Sequence, residues 1–201
     1  MEFYKQLKMP FQIWCSWLLN YKDLGIGTNV SISEYYVSNW YKFYFQIFND
    51  KEKVIKVEKK GSIGYTTFMA FYIYYLAMSK PNSKIIIIEN TKKINPLLRV
   101  LDLLISTNFN INSIKLDSPF ISNKIEFDNG TTVKSFPPST YNLKNIGQIE
   151  FVFFDECSIK NTEKLNYDIS IALMTNEINK MILTISNPIE DEFPEIKIKK
   201  I

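Results

Sequence analysis

Two runs of consecutive apolar residues constrain the fold of this chain more than any other feature. Four isoleucines occupy positions 85–88 between polar residues, and the segment FVFF at 151–154 directly precedes Asp155. An uninterrupted apolar run of this length with polar ends is typical of a strand that is buried on both faces. Such strands form parallel sheets that are covered by helices on each side. The sequence therefore predicts an α/β protein.

The remaining segments predict strands that alternate with helices. Further strands are expected at 54–57 and 181–188, and a hairpin at 124–136 turns through Asp128-Asn129-Gly130. Helices are expected from Ser31 or Ser33 to Phe48, over 66–78, from Asn95-Pro96 onward and over 164–179. This order predicts a three-layer α/β fold with a mainly parallel central sheet. Residues 1–30 are expected to form a helical or irregular N-terminal extension.

Composition excludes several classes of protein. The chain has 201 residues, 46% of them hydrophobic, which is enough for one domain with a sizeable core. It has no histidine, which excludes histidine zinc sites and histidine general bases, and its two cysteines lie far apart in sequence. The net charge of +3 is weak evidence for nucleic acid. The longest apolar run, 68–78, is too short to span a bilayer.

The segment VEKKGSIGYTT at 57–67 resembles a phosphate-binding loop with one departure. The usual pattern is G-x-x-x-x-G-K-[ST], and Gly64 and Thr66 match it, but Tyr65 stands at the lysine position. A glycine-rich turn between a strand and a helix exposes N–H groups that bind phosphate, and the Thr66 hydroxyl can ligate Mg²⁺. The alternative is a tight strand–helix turn that needs Gly61 and Gly64 for its backbone geometry alone.

Polar residues also follow two later strands, and ligands of parallel sheets bind at these strand ends. Asp155-Glu156 after the buried run is the Walker B pattern, in which the aspartate holds the Mg²⁺ shell and the glutamate polarises the attacking water. The segment LTISNP offers Thr184, Ser186 and Asn187 as contacts to the terminal phosphate or its water. The alternatives are a solvated acidic turn and a capped strand end.

Together these motifs resemble the large subunit of tailed-virus DNA-packaging terminases, in particular the lambda-type branch. That branch displaces the loop lysine to the start of the motif, in the pattern K-x-x-x-[VI]-G-Y-[ST]. The matching residues are Lys59, Lys60, Gly61, Ser62, Ile63, Gly64, Tyr65 and Thr66. The resemblance implies a working ATP loop whose charge comes from Lys59, with Lys60 as the fallback. Tyr65 should then be a packing residue, and a lysine at position 65 should compensate for the loss of Lys59.

The resemblance extends over roughly residues 40–190. YFQIFND resembles the family's adenine-binding element, which implies that Gln46 bonds the adenine edge and that Tyr44 or Phe45 stacks on it. The alternative is an ordinary amphipathic helix. The family often carries an arginine inside the loop where Ser62 stands here. The trigger for hydrolysis would then be Lys60, Arg99 or a neighbouring subunit.

The fold implied by the resemblance is an ASCE-type P-loop NTPase core over residues 31–201, without the nuclease domain of a full terminase. The implied activity is Mg²⁺-dependent ATP hydrolysis with Glu156 and Lys59 as catalytic residues and Asp155 and Thr66 as metal ligands. Thr184, Ser186 and Asn187 would couple hydrolysis to translocation.

The implied partners are double-stranded DNA bound without sequence preference, further copies of the chain on a portal or capsid, and a small terminase-type subunit. The implied location is the host cytoplasm, with no membrane. Two alternatives stay open: a weak or inactive P-loop module that binds nucleotide or DNA in an assembly role, and a helicase-like ATPase lobe.

Overall fold

A computed structural model describes seven segments of the chain. They are residues 43–44, 51–59, 65–89, 124–136, 143–155, 162–186 and 196–200. Within them, side chains are described except at 59, 162–166, 185–186 and 196–200. The helix expected from Asn95-Pro96 and most of the helix expected up to Phe48 lie outside these segments, as does the N-terminal extension.

The described strands form one seven-stranded sheet in the order β3-β4-β2-β5-β6-β1-β7. Their bounds are β1 Val54–Lys59, β2 Lys84–Glu89, β3 Lys124–Glu126, β4 Thr132–Phe136, β5 Gln148–Asp155, β6 Glu177–Ser186 and β7 Ile196–Lys200. The five central strands, from β4 to β1, are parallel, and the two edge strands are antiparallel to their neighbours. The mainly parallel sheet predicted from the apolar runs is confirmed.

Two helices lie on opposite faces of the sheet, α1 at Tyr65–Ser79 and α2 at Thr162–Thr175. On the α1 face, the ring of Tyr72 packs 5.7 Å from that of Phe151. On the other face, Ile169 of α2 belongs to a buried cluster with Val152 and Phe154. Since neighbouring residues of a strand point to opposite faces, the consecutive apolar residues of β2 and β5 serve both layers. The three-layer arrangement is therefore confirmed.

The turn of the hairpin between β3 and β4 is docked on the C-terminal end of α1. The Asn129 side chain donates a hydrogen bond of 2.7 Å to the carbonyl of Ala77, and the Thr131 hydroxyl donates one of 2.6 Å to the carbonyl of Lys80. Gly130 has φ 81°, and a β-carbon there would lie 2.2 Å from Oδ1 of Asn82. Glycine is therefore required on two grounds, its backbone conformation and its lack of a side chain.

Helix α2 ends at Thr175, four residues earlier than predicted, because the side chain of the next residue, Asn176, caps its last turn. The Asn176 side chain donates to the carbonyl of Ala172 in the last turn, and its Oδ1 accepts from the backbone N–H groups of Ile146 and Gly147. It thus ties the helix end to the loop that leads into β5. Residues 177–179, predicted as helix, are instead the start of β6.

The basic segment IKIKK, which carried no structural prediction, forms the edge strand β7 beside β1. Its alternation of isoleucine and lysine has the period of a strand, and lysine is common on exposed edges. Its position places an antiparallel strand directly beside the strand that precedes the glycine loop.

Candidate active site

The candidate site lies at the C-terminal edge of the parallel sheet, in front of the first turn of α1. Strand β6 lies between β1, which precedes the glycine loop, and β5, which ends at Asp155. Thr184 in β6 is paired with Val57 of β1, and Lys59 of β1 is paired with Ser186. The ends of these three strands therefore meet at one place.

Asp155 is the centre of the described site. It is 5% exposed, and each of its carboxylate oxygens lies near a threonine hydroxyl. The Thr66 hydroxyl donates to Oδ2 over 3.1 Å. The Thr184 hydroxyl lies 3.2 Å from Oδ1 and 3.0 Å from the carbonyl oxygen of Phe154, and it is fully buried. One carboxylate thus joins α1, β5 and β6, the elements that bear the three sequence motifs.

The side chain of Tyr65 packs between α1 and the sheet. It is 1% exposed and lies among the rings of Phe43, Phe68 and Phe153, with centroids 5.6, 5.7 and 6.4 Å away. Burial raises its pKa well above the usual value, and the negative charge of Asp155 raises it further. The side chain therefore has a packing role.

This burial bears on one expectation from the sequence, that a lysine at position 65 should compensate for the loss of Lys59. The space at position 65 is an aromatic pocket beside Asp155, so an ammonium following the tyrosine path would be buried next to that carboxylate.

The donor atoms around Asp155 suit Mg²⁺. They are carboxylate and hydroxyl oxygens, which are the hard ligands that this ion prefers. Among the residues that the structure describes, no group of three or more His, Cys, Asp or Glu side chains could hold a metal. A Mg²⁺ ion that is shared with substrate phosphates needs only one or two protein carboxylates. Asp155 and Thr66 therefore fit the role assigned to them from the sequence.

Several predicted site residues lie outside the described part of the chain. They are Gln46, Lys60, Gly61, Ser62, Ile63, Gly64, Glu156 and Asn187. For Lys59 and Ser186 the backbone is described, and each residue is the last of its strand. Tyr44, considered as an adenine-stacking residue, packs 6.2 Å from Tyr72 in the second turn of α1, away from the first turn, where Thr66 lies. This contact favours the packing alternative for Tyr44.

Sequence reasoning missed one residue at this edge. Glu89 is the last residue of β2 and is paired in register with Asp155. It is 3% exposed, and its Oε1 lies 3.4 Å from the hydroxyl of Ser135. The signal was present in the sequence, because Glu89 follows four isoleucines just as Asp155 follows FVFF.

Comparison with solved structures agrees with this fold. The ATPase domain of the large terminase of Thermus phage P74-26 matches over 84% of this chain and 68% of its own length, with 15% identity and a TM-score of 0.51. The large terminase of bacteriophage HK97 matches over 81% of this chain, with 9% identity and a TM-score of 0.54. This chain spans only 34% of that protein.

No protein-family model and no curated protein matches the sequence. In the part of the chain that the structure describes, no helix has the length and apolar character needed to cross a membrane. At these identities the structural matches establish the fold alone, a three-layer α/β fold like that of the ATPase domain of a large terminase.

Proposed function

We propose that this chain is an ATPase motor domain that couples ATP hydrolysis to the movement of double-stranded DNA, as in packaging into a viral capsid. The observation that carries the proposal is the position of Asp155. Its carboxylate contacts Thr66 at the start of the helix after the glycine loop and Thr184 in the strand of the coupling segment. The terminase-like fold supports the same conclusion.

In this proposal the protein binds ATP at the N-terminal end of α1. The backbone N–H groups of 61–66 and the positive end of the helix dipole hold phosphate oxygens. Lys59, at the end of β1, supplies a positive charge to the terminal phosphates, with Lys60 as its fallback. Gln46 bonds the adenine edge. The ring of Tyr65 packs between α1 and the sheet, so Tyr65 would contribute only its backbone N–H to phosphate binding.

Asp155 and Thr66 would hold a Mg²⁺ ion, which supplies positive charge to the phosphates when bound. Glu156 follows Asp155 and is assigned as the general base that accepts a proton from the attacking water. The Thr184 hydroxyl lies 3.2 Å from Oδ1 of Asp155, and Thr184 begins the coupling segment that continues through Ser186 and Asn187. Through this contact, the coupling segment touches the proposed metal ligand.

The proposed partner is double-stranded DNA, bound by lysines without sequence preference. Arg99 is the only arginine of the chain, so bidentate recognition of guanine is scarcely available. Further copies of the chain on a portal, together with a small terminase-type subunit, would complete the motor in the host cytoplasm. DNA affinity should fall steeply with added salt, and a salt-insensitive complex would contradict the proposal.

Measurement of ATP hydrolysis with and without double-stranded DNA tests the function. Glu156→Gln should keep nucleotide binding and lower turnover by ~10² or more, in the range for loss of a general base. The control is Glu177→Gln, which removes a carboxylate of the same type. Glu177 is exposed and lies at the start of β6, at the opposite end of the strands from the candidate site. Unchanged turnover in Glu156→Gln would remove Glu156 from the mechanism.

A second pair of variants tests the displaced lysine. Lys59→Ala should abolish tight ATP binding or turnover. Lys56→Ala on the same strand should not, since Lys56 makes only a partly exposed ion pair with Glu58, 3.5 Å away. A chain that binds nucleotide but hydrolyses none, with or without DNA, would instead be a binding module with a role in assembly.

A further inference from the structure

We propose that Thr184 is a positioning residue of the nucleotide site, whose hydroxyl holds the Asp155 carboxylate in the orientation that binds the divalent cation. This role rests on the proposed function and deepens it, because the sequence assigned Thr184 to coupling, as a contact to the terminal phosphate or its water, and not to the metal ligand. The side chain of Thr184 is fully buried. Its hydroxyl oxygen lies 3.2 Å from Oδ1 of Asp155 and 3.0 Å from the carbonyl oxygen of Phe154.

The two oxygens of the Asp155 carboxylate face different elements of the fold. Oδ2 accepts a hydrogen bond of 3.1 Å from the hydroxyl of Thr66 in α1, the other proposed ligand of the cation. Oδ1 lies on the side of Thr184 in β6. A quarter-turn of the carboxylate about its side chain would break both contacts. The contact with Thr184 therefore keeps Oδ2 beside Thr66, so that the two proposed ligands stay together.

Thr184 can serve as a fixed point because the sheet holds it on both sides. It is paired with Val57 of β1, and the preceding residue, Leu183, is paired with Phe154 of β5. A hydroxyl has a single proton, and both nearby oxygens are acceptors, so the proton is shared between them. A hydrogen bond to an ionised carboxylate is roughly twice as strong as one between neutral groups. The bond therefore restrains the ionised carboxylate more firmly than a bond between neutral groups would.

A purely structural role for the Thr184 hydroxyl makes a different prediction. The residues before it, 181–183, are buried and apolar, and valine would fill the same volume with a methyl group in place of the hydroxyl. If the hydroxyl only satisfied the carbonyl of Phe154, its loss would lower stability and leave the affinity for the cation unchanged. If it positions Asp155, its loss must weaken cation binding, since groups that hold a metal ligand in place are worth roughly 10–100-fold in metal affinity.

A Mg²⁺ titration of Thr184→Val tests the role by two readouts, the melting temperature in the presence of ADP and the rate of ATP hydrolysis. The half-saturating Mg²⁺ concentration should rise ~10-fold or more in both readouts. Thr184→Ser keeps the hydroxyl and should stay within ~3-fold of the wild type. An equal rise in both variants would mean that the shape of the side chain matters and its hydroxyl does not, which would overturn the inference.

The matched control is Thr131→Val, which removes another buried hydroxyl. Thr131 is also fully buried, directly precedes β4 at the opposite end of the strands from the candidate site, and donates a hydrogen bond of 2.6 Å to the carbonyl of Lys80. Its loss should lower the melting temperature without Mg²⁺ and leave the half-saturating Mg²⁺ concentration as in the wild type. The same rise in Thr131→Val as in Thr184→Val would assign the effect to a general loosening of the fold and contradict the positioning role.

The outcomes for Thr184 and for the proposed function are distinguishable. Hydrolysis by the wild type with the same Mg²⁺ requirement in Thr184→Val would overturn the inference and leave the function standing. Absence of hydrolysis in the wild type would count against the function, and the melting temperatures would then decide on Thr184. Stabilisation by Mg²⁺ and ADP that weakens in Thr184→Val supports the inference. No stabilisation of the wild type, or a Thr184→Val protein that does not fold at any Mg²⁺ concentration, overturns it.

Discussion

Replacement of Tyr65 by lysine would restore the usual phosphate-loop sequence, yet the structure predicts that it harms the protein. The tyrosine ring is 1% exposed and packs against three other rings. A lysine that swings out to solvent forfeits this packing, at a cost of about 3–5 kcal/mol by analogy with the removal of large aromatic side chains. A lysine that stays in the pocket buries an ammonium, which costs several kcal/mol before any pairing.

The solvent-facing conformation therefore lowers the free energy of unfolding by about 3 kcal/mol or more, and in the buried conformation pairing with Asp155 offsets only part of a cost of several kcal/mol. For a chain of this size, each kcal/mol shifts the melting temperature by roughly 2–4 °C, so Tyr65→Lys should lower it by about 6–12 °C or more. A buried ammonium would also pair with Asp155, whose charge is felt at position 65. This pairing would compete with the cation that Asp155 is proposed to hold.

Thermal unfolding and ATP hydrolysis of Tyr65→Lys, alone and combined with Lys59→Ala, test this reasoning. The control is Tyr65→Phe, which keeps the ring and should change stability by no more than ~1 kcal/mol. We expect the double variant to be inactive. A Tyr65→Lys protein that melts with the wild type and restores hydrolysis to Lys59→Ala would refute the packing argument.

Three further changes test the fold. Burial raises the pKa values of Tyr65 and Tyr72 well above their ordinary value, so the folded state holds these protons after the unfolded chain releases them, and stability should fall as the pH rises above ~10. Tyr65→Phe should reduce the slope of this loss by about 1.4 kcal/mol per pH unit in alkaline denaturation, and an unchanged slope would contradict the burial. Asn176→Asp keeps the oxygen that accepts from the 146–147 loop, but it loses both N–H donors and adds a negative charge at a helix C-terminus. Urea unfolding should therefore show a free energy of unfolding lower by about 2 kcal/mol or more. An equally stable protein would exclude the role of the amide group. Gly130→Ala should cost about 1–2 kcal/mol and lower the melting temperature by roughly 2–8 °C, and an unchanged melting temperature would contradict the need for glycine there.

The central sheet could be predicted because two of its strands, β2 and β5, consist largely of consecutive apolar residues. The runs before Glu89 and Asp155 admit few alternatives, and the Asn129-Gly130 turn marks its hairpin directly. Boundaries were less predictable, because the end of α2 depends on a hydrogen bond between Asn176 and the 146–147 loop, which is distant in sequence.

The site shows the same division. Asp155, Thr66 and Thr184 could be chosen from local patterns, and their contacts confirm that the three lie together. Glu89 was missed because its significance depends on register: it becomes a neighbour of Asp155 only when β2 pairs with β5. The spacing of apolar residues along the chain does not show which strands are neighbours in the sheet. The aromatic pocket around Tyr65 is likewise assembled from helix and sheet residues that are distant in the chain.

The position of β6 has a mechanical consequence for a motor. It is paired with β1 over residues 181–186 and with β5 over residues 177–183, so a pull along β6 loads two parallel ladders in shear. Hydrogen bonds loaded in shear must yield together, whereas those at a strand end can open one at a time. In the proposed motor, Thr184 and Asp155 would therefore keep their separation during a stroke, and the sheet would serve as a fixed anchor.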